Sequence, residues 1–183
     1  GSGAIDLSLR GNVQIRGVTE QSHAALLDDL RALSLIDRDV TREARRNITV
    51  TPFADDETDA LAEALALALE DGPDLPGKFG FVVDTGTAPL LTDTPGDIRL
   101  ERSATGALLL RPEGSALGAA VSAQTAIPMA IALAQWFLEA GGMRNGRGRM
   151  AALLEQGARP EMPLAVPPAP TVPKPAPGLC AKG

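Results

Sequence analysis

Tyrosine is absent from this chain and aromatic residues make up only 3% of it, so a core has to be assembled from Leu, Ala, Val and Ile. Cysteine occurs once, as Cys180. One thiol cannot close an internal disulfide, nor can it supply the several thiolates of a structural zinc or iron–sulfur site. Histidine also occurs once, as His23. It falls beside the polar face of an expected helix, with no thiol, hydroxyl or carboxylate partner at motif spacing, and it reads as a surface residue. No metal-ligand set, catalytic triad or paired-carboxylate motif is visible. No segment approaches the ~20 apolar residues of a membrane span; the most apolar stretch, 126–138, is too short and contains Gln135. Positive charge is in deficit, with 17 Lys and Arg against 23 Asp and Glu and a formal net charge of -6. That balance argues against a general nucleic-acid binder, which needs a basic face for phosphates. Few cysteines and no signal peptide suit a cytoplasmic protein with no membrane partner.

What is present is ordinary for a globular domain: 44% hydrophobic and 22% charged residues. Residues 4–18 read as a strand, because Ile5, Leu7 and Leu9 alternate with polar residues and Val13 and Ile15 alternate again after Gly11-Asn12. Thr19 then predicts a helix N-cap, and Leu26, Leu27, Leu30 and Leu33 carry helical spacing to about Leu35. The β-branched run Asn47 to Thr51 predicts a short strand ended by Pro52. Asp55 and Asp56 open a helix with Leu61, Leu65 and Leu69 on one face, closed by Gly72-Pro73. Phe79 to Asp84 reads as a strand. Ile98 and Leu100, then Leu108 to Leu110, flank hairpin chemistry at 103–106. A helix is expected over 125–140 with Pro128 in its first turn if Thr125 is the cap, and another over about 147–156. From Ala158 the chain turns proline-rich without a periodic face, which predicts an extended, disordered linker. The strand that opens the chain abruptly and the linker that stops at Gly183 together suit a piece of a longer protein.

Three short motifs could carry chemistry. In Leu9-Arg10-Gly11-Asn12-Val13-Gln14-Ile15-Arg16-Gly17, a strand would project Arg10, Asn12, Gln14 and Arg16 from one face, and such a set suits an anion. Arginine binds carboxylates bidentately through its planar fork. In Arg45-Arg46-Asn47-Ile48, an arginine stands at a loop–strand junction, within reach of a ligand. Leu75-Pro76-Gly77-Lys78-Phe79-Gly80 only superficially resembles a phosphate loop: its spacing is not G-x-x-x-x-G-K-[ST], and a strand follows Lys78. Each motif also has an ordinary reading, respectively a solvent-facing strand edge, a solvated charge run and an exposed lysine.

In this order the three motifs resemble those of the sulfite/nitrite reductase superfamily, whose members carry a strand like Thr-Arg-Gln-Asn-Ile-Gln-Leu-Arg-Gly, then Asn-Arg-Asn-Val, then Leu-Pro-x-Lys-Phe-Lys. Arg10, Arg16, Arg46 and Lys78 match basic positions that bind the carboxylates of sirohaem there. Gly80 stands where the second lysine of Lys-Phe-Lys is found. Lys-Phe-Gly-Phe-Val-Val-Asp (78–84), Arg-Gly-Asn-Val-Gln-Ile-Arg-Gly (10–17) and Gly-Asp-Ile-Arg-Leu (96–100) are similar instead to the precorrin-3B synthase family. The resemblance covers about residues 4–155. It implies an α+β or α/β fold, with residues 1–36 as the closing part of a ferredoxin-like half-domain, 37–157 as a reductase-like α/β domain and 158–183 as the proline-rich linker. It implies a monooxygenase that hydroxylates precorrin-3A in aerobic cobalamin biosynthesis, with Arg10, Asn12, Gln14, Arg16, Arg46 and Lys78 holding the polycarboxylate tetrapyrrole. It further implies a [4Fe–4S] cluster, whose cysteines the family carries in a second homologous half, a non-haem iron and an electron donor. A sirohaem-dependent sulfite or nitrite reductase and a non-catalytic tetrapyrrole-binding module remain as alternatives. The first strand and helix are expected to pack on the following domain, because their apolar faces need cover.

Overall fold

The computed structural model describes residues 3–8, 13–33, 35–36, 39, 43, 45–86 and 88–171. The opening segment is a hairpin instead of one strand: β1 (Ile5–Leu7) pairs antiparallel with β2 (Val13–Ile15), with Ile5 opposite Ile15. Period-two alternation is the same on both sides of a turn, so it could not separate one strand from two. Thr19 caps α1 (Glu20–Ala32) as expected, in a capping box with Ser22. The expected packing of these elements is not found: no described residue of β1, β2 or α1 is buried, and Ile5, Leu7 and Val13 are more than half exposed.

The rest forms a mixed α+β unit around a five-stranded sheet. Its strands are β3 (Ile48–Val50), β4 (Phe81–Asp84), β5 (Ile98–Arg102), β6 (Leu108–Pro112) and β7 (Ala119–Ala120), in that spatial order. The pairs β3–β4 and β4–β5 are parallel; β5–β6 and β6–β7 are antiparallel. The first parallel pair is joined by α2 (Asp56–Glu70), whose Asp55 cap accepts from the Thr58 N–H and whose Leu61, Leu65 and Leu69 are buried. Leucines every four residues form one stripe on a helix, and each buried leucine contributes about 1.5–3 kcal/mol.

A second helix, α3 (Ala123–Glu139), starts earlier than the sequence suggests, because Ser122 and Thr125 form a capping box. Pro128 therefore lies in the second turn and leaves the Gln124 carbonyl without its helical donor, at an exposed position where water can serve it. The last helix, α4 (Met150–Glu155), starts later than expected. Residues 144–147 are taken up by a tight turn in which Arg144 and Arg147 exchange backbone hydrogen bonds, with Asn145 and Gly146 at positive φ. All three helices cover one face of the sheet: Phe81, Val83, Ile98, Leu100, Leu108 and Leu110 join their apolar residues in one cluster. Phe79 packs on Phe137 at 4.7 Å and edge-on to Phe81 at 5.8 Å between ring centroids, so three of the four phenylalanines meet in this core. Among the described residues no helix is long and apolar enough to cross a membrane.

The opposite face of the sheet is polar and is covered by the connection between β4 and β5. Asp84 accepts from the N–H groups of Leu90 and Leu91, both at 2.8 Å. Arg99, 1% exposed, donates to the carbonyls of Leu91 and Thr94. The proline-rich segment also differs from the expected linker. It is extended, but the Gly118 N–H donates to the Val166 carbonyl, the Ala165 and Val166 N–H groups donate to Gly118, and the Ala169 N–H donates to the Arg102 carbonyl at 2.8 Å. Proline spacing does not reveal this, because the donors come from the alanines and valines between the prolines. Cys180 and the rest of 172–183 lie outside the described residues.

Candidate functional site

The two ends of the parallel strands carry different chemistry. At the amino end, Ile48 is paired with Phe81. The Phe81 N–H donates to the Asn47 carbonyl at 2.8 Å, and the Asn47 amide donates to the Phe79 carbonyl at 2.7 Å. Carrying this register back by two residues sets Arg46 level with Phe79, ahead of β3, while Lys78 lies in the turn that leads into β4. Lys78 is exposed and Arg46 is partly so. Arg45 has a structural role: it donates to the Glu70 carbonyl at 3.1 Å, where a cation suits the carboxyl end of α2, and lies 3.8 Å from Asp74.

The remaining predicted residues divide. Arg16 donates to Asp6 at 2.7 Å and to Gln14 at 2.9 Å, all on the hairpin and exposed. Arg10 and Asn12 lie outside the described residues. Arg46 and Lys78 both lie just ahead of the paired strands β3 and β4, while Gln14 and Arg16 belong to the opening hairpin segment. Gly80 is packed against Asn47: a Cβ there would meet the Asn47 amide nitrogen at 2.9 Å.

The motif Gly-Asp-Ile-Arg-Leu is occupied by structural contacts. Asp97 is fully buried and accepts from the Gly80 N–H at 3.0 Å, the Met150 N–H at 2.8 Å and Arg149 at 3.0 Å. Burial pushes its carboxyl above the ordinary value, against these donors and the Arg149 charge. Arg99 donates to Glu101 at 2.6 Å and to Glu113 at 3.0 Å. Arg111 grips Glu101 with two bonds, at 2.8 and 2.9 Å. Burial pushes the Glu101 carboxyl up, but Arg111 and Arg99 outweigh it and hold it below its ordinary range.

At the carboxyl end lies a cavity of about 590 Å³ between Asp84, Arg102, the Asp55 cap of α2 and the proline-rich segment at Ala169 and Pro170. Open α/β sheets bind ligands outside the carboxyl ends of their strands. Asp84 is 2% exposed, and its Oδ1 is buried with no hydrogen-bond partner. Leaving such an acceptor unpaired costs about 1–3 kcal/mol or more. Hydrogen bonds from the Thr58 hydroxyl, at 2.6 Å, and then from its N–H hold the Asp55 carboxyl below its ordinary value. This site was not anticipated. The available signal was an aspartate closing an apolar strand, Phe81-Val82-Val83-Asp84, just before Thr85-Gly86.

Among the described residues no group of three or more His, Cys, Asp or Glu is arranged to hold a metal ion. No protein-family model matches this chain, and no curated protein or solved structure matches it.

Proposed function

We propose that this chain is the first half of a precorrin-3B synthase-like monooxygenase of the sulfite/nitrite reductase superfamily, a cytoplasmic oxidoreductase that hydroxylates precorrin-3A in aerobic cobalamin biosynthesis. On this reading residues 1–36 close a ferredoxin-like half-domain and 37–157 form the reductase-like α/β domain. The observation that supports the reading is that Arg46 and Lys78, two motif cations separated by 32 positions (78 − 46), both lie just ahead of the paired strands β3 and β4. A ligand with many carboxylates needs several cations to offset the cost of leaving water. Arg46 and Lys78 would hold two of those carboxylates, with Arg10, Asn12, Gln14 and Arg16 serving others. Their role is to bind and orient the macrocycle, and none is an acid, base or nucleophile for the reaction.

The donor set of this chain does not fit a [4Fe–4S] cluster, which takes four thiolates; Cys180 is the one thiol in the sequence. The cluster and the non-haem iron belong, on this reading, with a second half of the enzyme, and no step through either is assigned to this chain. Gly80 disfavours a sirohaem reductase, because it removes one cation and the Asn47 amide occupies the space where a side chain would begin.

The test is equilibrium binding of uroporphyrin, an octacarboxylate tetrapyrrole, to a complete two-half protein. Charge-assisted hydrogen bonds are worth about 1.5–3 kcal/mol each, so Arg46→Ala and Lys78→Ala should each weaken binding by about one to two powers of ten. Unchanged affinity in both variants would overturn the assignment.

A further inference from the structure

The cavity at the carboxyl edge takes no part in tetrapyrrole binding as proposed, and its chemistry points to a ligand of opposite charge. Asp84 closes β4 there. Its Oδ2 is occupied by the N–H groups of Leu90 and Leu91. Its Oδ1 is buried and unpartnered on a residue that lines the cavity. An ionised carboxylate only accepts, so the missing partner must be a donor.

Positive charge in the cavity wall is already neutralised. Arg102 donates through Nε to the Thr85 carbonyl at 2.8 Å, through Nη1 to the Gly106 carbonyl at 2.9 Å and through Nη2 to Glu57 at 2.5 Å. With Arg102 paired to Glu57, the carboxylates of Asp84 and Asp55 leave the wall negative, and Asp55 is held in its ionised form by Thr58. A bare divalent cation is poorly served, since it takes six or more oxygen ligands and the described residues offer no three-carboxylate group. Pro89, Ala104 and Pro170 supply apolar surface beside the two carboxylates. The volume of about 590 Å³ lies in the range of small-molecule sites.

We propose that this cavity binds a small organic cation, an alkyl amine or alkyl guanidinium compound, whose N–H group donates to Asp84 Oδ1 while its chain lies along the proline and alanine wall. The cationic head supplies the donor that the buried oxygen lacks and offsets the charge of Asp55 and Asp84. The methylene chain contributes by leaving water.

The experiment is a titration of the 183-residue chain with agmatine, followed through its backbone amide NMR signals. Butane-1,4-diol and butyrate serve as neutral and anionic controls of similar length. Agmatine should shift the amides of Thr85, Gly86 and Gly106 saturably, and neither control should. Asp84→Asn keeps an oxygen for the Leu90 and Leu91 N–H groups and should weaken agmatine binding by about tenfold or more. Asp55→Asn keeps the helix cap, because asparagine caps as well as aspartate, and should weaken binding by about threefold. If Asp84→Asn does not fold, Asp55→Asn decides alone. No saturable shift with agmatine, equal shifts with butane-1,4-diol, or unchanged affinity in the folded variants would each overturn the proposal; the first of these would assign Asp84 Oδ1 to water.

Discussion

Glu101→Ala is the perturbation that most directly tests the polar face of the sheet. Glu101 is 6% exposed and accepts three bonds from two guanidinium groups: one from the buried Arg99 at 2.6 Å and two from the partly buried Arg111 at 2.8 and 2.9 Å. Removing it leaves Arg99 with Glu113 and two loop carbonyls, and Arg111 with the Ser115 carbonyl alone. Breaking a buried ion pair from one side costs about 3–5 kcal/mol, a large part of a total stability of about 5–15 kcal/mol. For a chain of this size that corresponds to a fall in Tm of about 6–20 °C. Urea unfolding followed by the fluorescence of Trp136 at neutral pH measures the loss. Glu101→Gln, which keeps one acceptor and loses the charge, should be less damaging than alanine. The pH dependence gives an independent check. The folded carboxyl lies below its ordinary value of 4.5, so its contribution to stability is present above that value and disappears as pH falls through the folded pKa. The gap between wild type and Glu101→Gln should therefore narrow in acid. An alanine variant within about 0.5 kcal/mol of wild type, or a gap that widens as pH falls, would refute the reasoning.

Gly148→Ala should be among the most damaging substitutions, because its Cβ would stand 1.9 Å from the Gly142 carbonyl oxygen; a loss of about 4 kcal/mol or more is expected, read as failed folding or a collapsed Tm. Gly80→Ala is milder: it displaces the Asn47 amide from the Phe79 carbonyl and should cost about 1–2 kcal/mol in urea unfolding, with wild-type stability as the contrary result. The amides of Ala165, Val166 and Ala169 should be protected in hydrogen exchange by their bonds to Gly118 and Arg102, and exchange at the rate of an unstructured peptide would contradict the pairing of the proline-rich segment.

The elements of the α+β unit were legible where one residue pattern forces one answer. Leu61, Leu65 and Leu69 permit a single buried helical face, and Asp55 caps α2 with Asp56 as its first acid. The hairpin over 103–106 follows from small turn residues between β-forming runs. What escaped was set by tertiary contact. The alternation Ile98-Arg99-Leu100-Glu101 reads as a strand with one wet face, yet that face is buried because the β4–β5 connection folds across it and Arg99 binds its carbonyls. The extended opening segment and α1 were readable in outline, but not the pairing of β1 with β2 or the exposure of these elements, which depends on what packs against them. That Arg46 and Lys78 fall at the same end of the sheet needs the β3–β4 pairing, and the unpaired Asp84 oxygen needs the loop after β4; neither is written in local spacing.

The parallel strands place groups of opposite sign at their two ends. Arg45, Arg46 and Lys78 stand at the amino edge; Asp55, Asp56, Glu57 and Asp84 stand at the carboxyl edge, with Arg102 engaged by Glu57. The extended stretch from Phe79 to Asp84 separates them by roughly 17 Å at ~3.3 Å per residue, well beyond the Debye length of about 8 Å at physiological salt. A polycarboxylate at one edge and an organic cation at the other would therefore barely sense each other through solvent. This separation matters for a chain of net charge -6. An evenly spread negative field would repel a polycarboxylate from every side, whereas segregation leaves one edge where local cations decide the encounter. Asp55 and Asp84, which line the carboxyl-edge cavity, are among the acidic residues that set this net charge, so on the proposed readings one segregated charge distribution would serve both ligands.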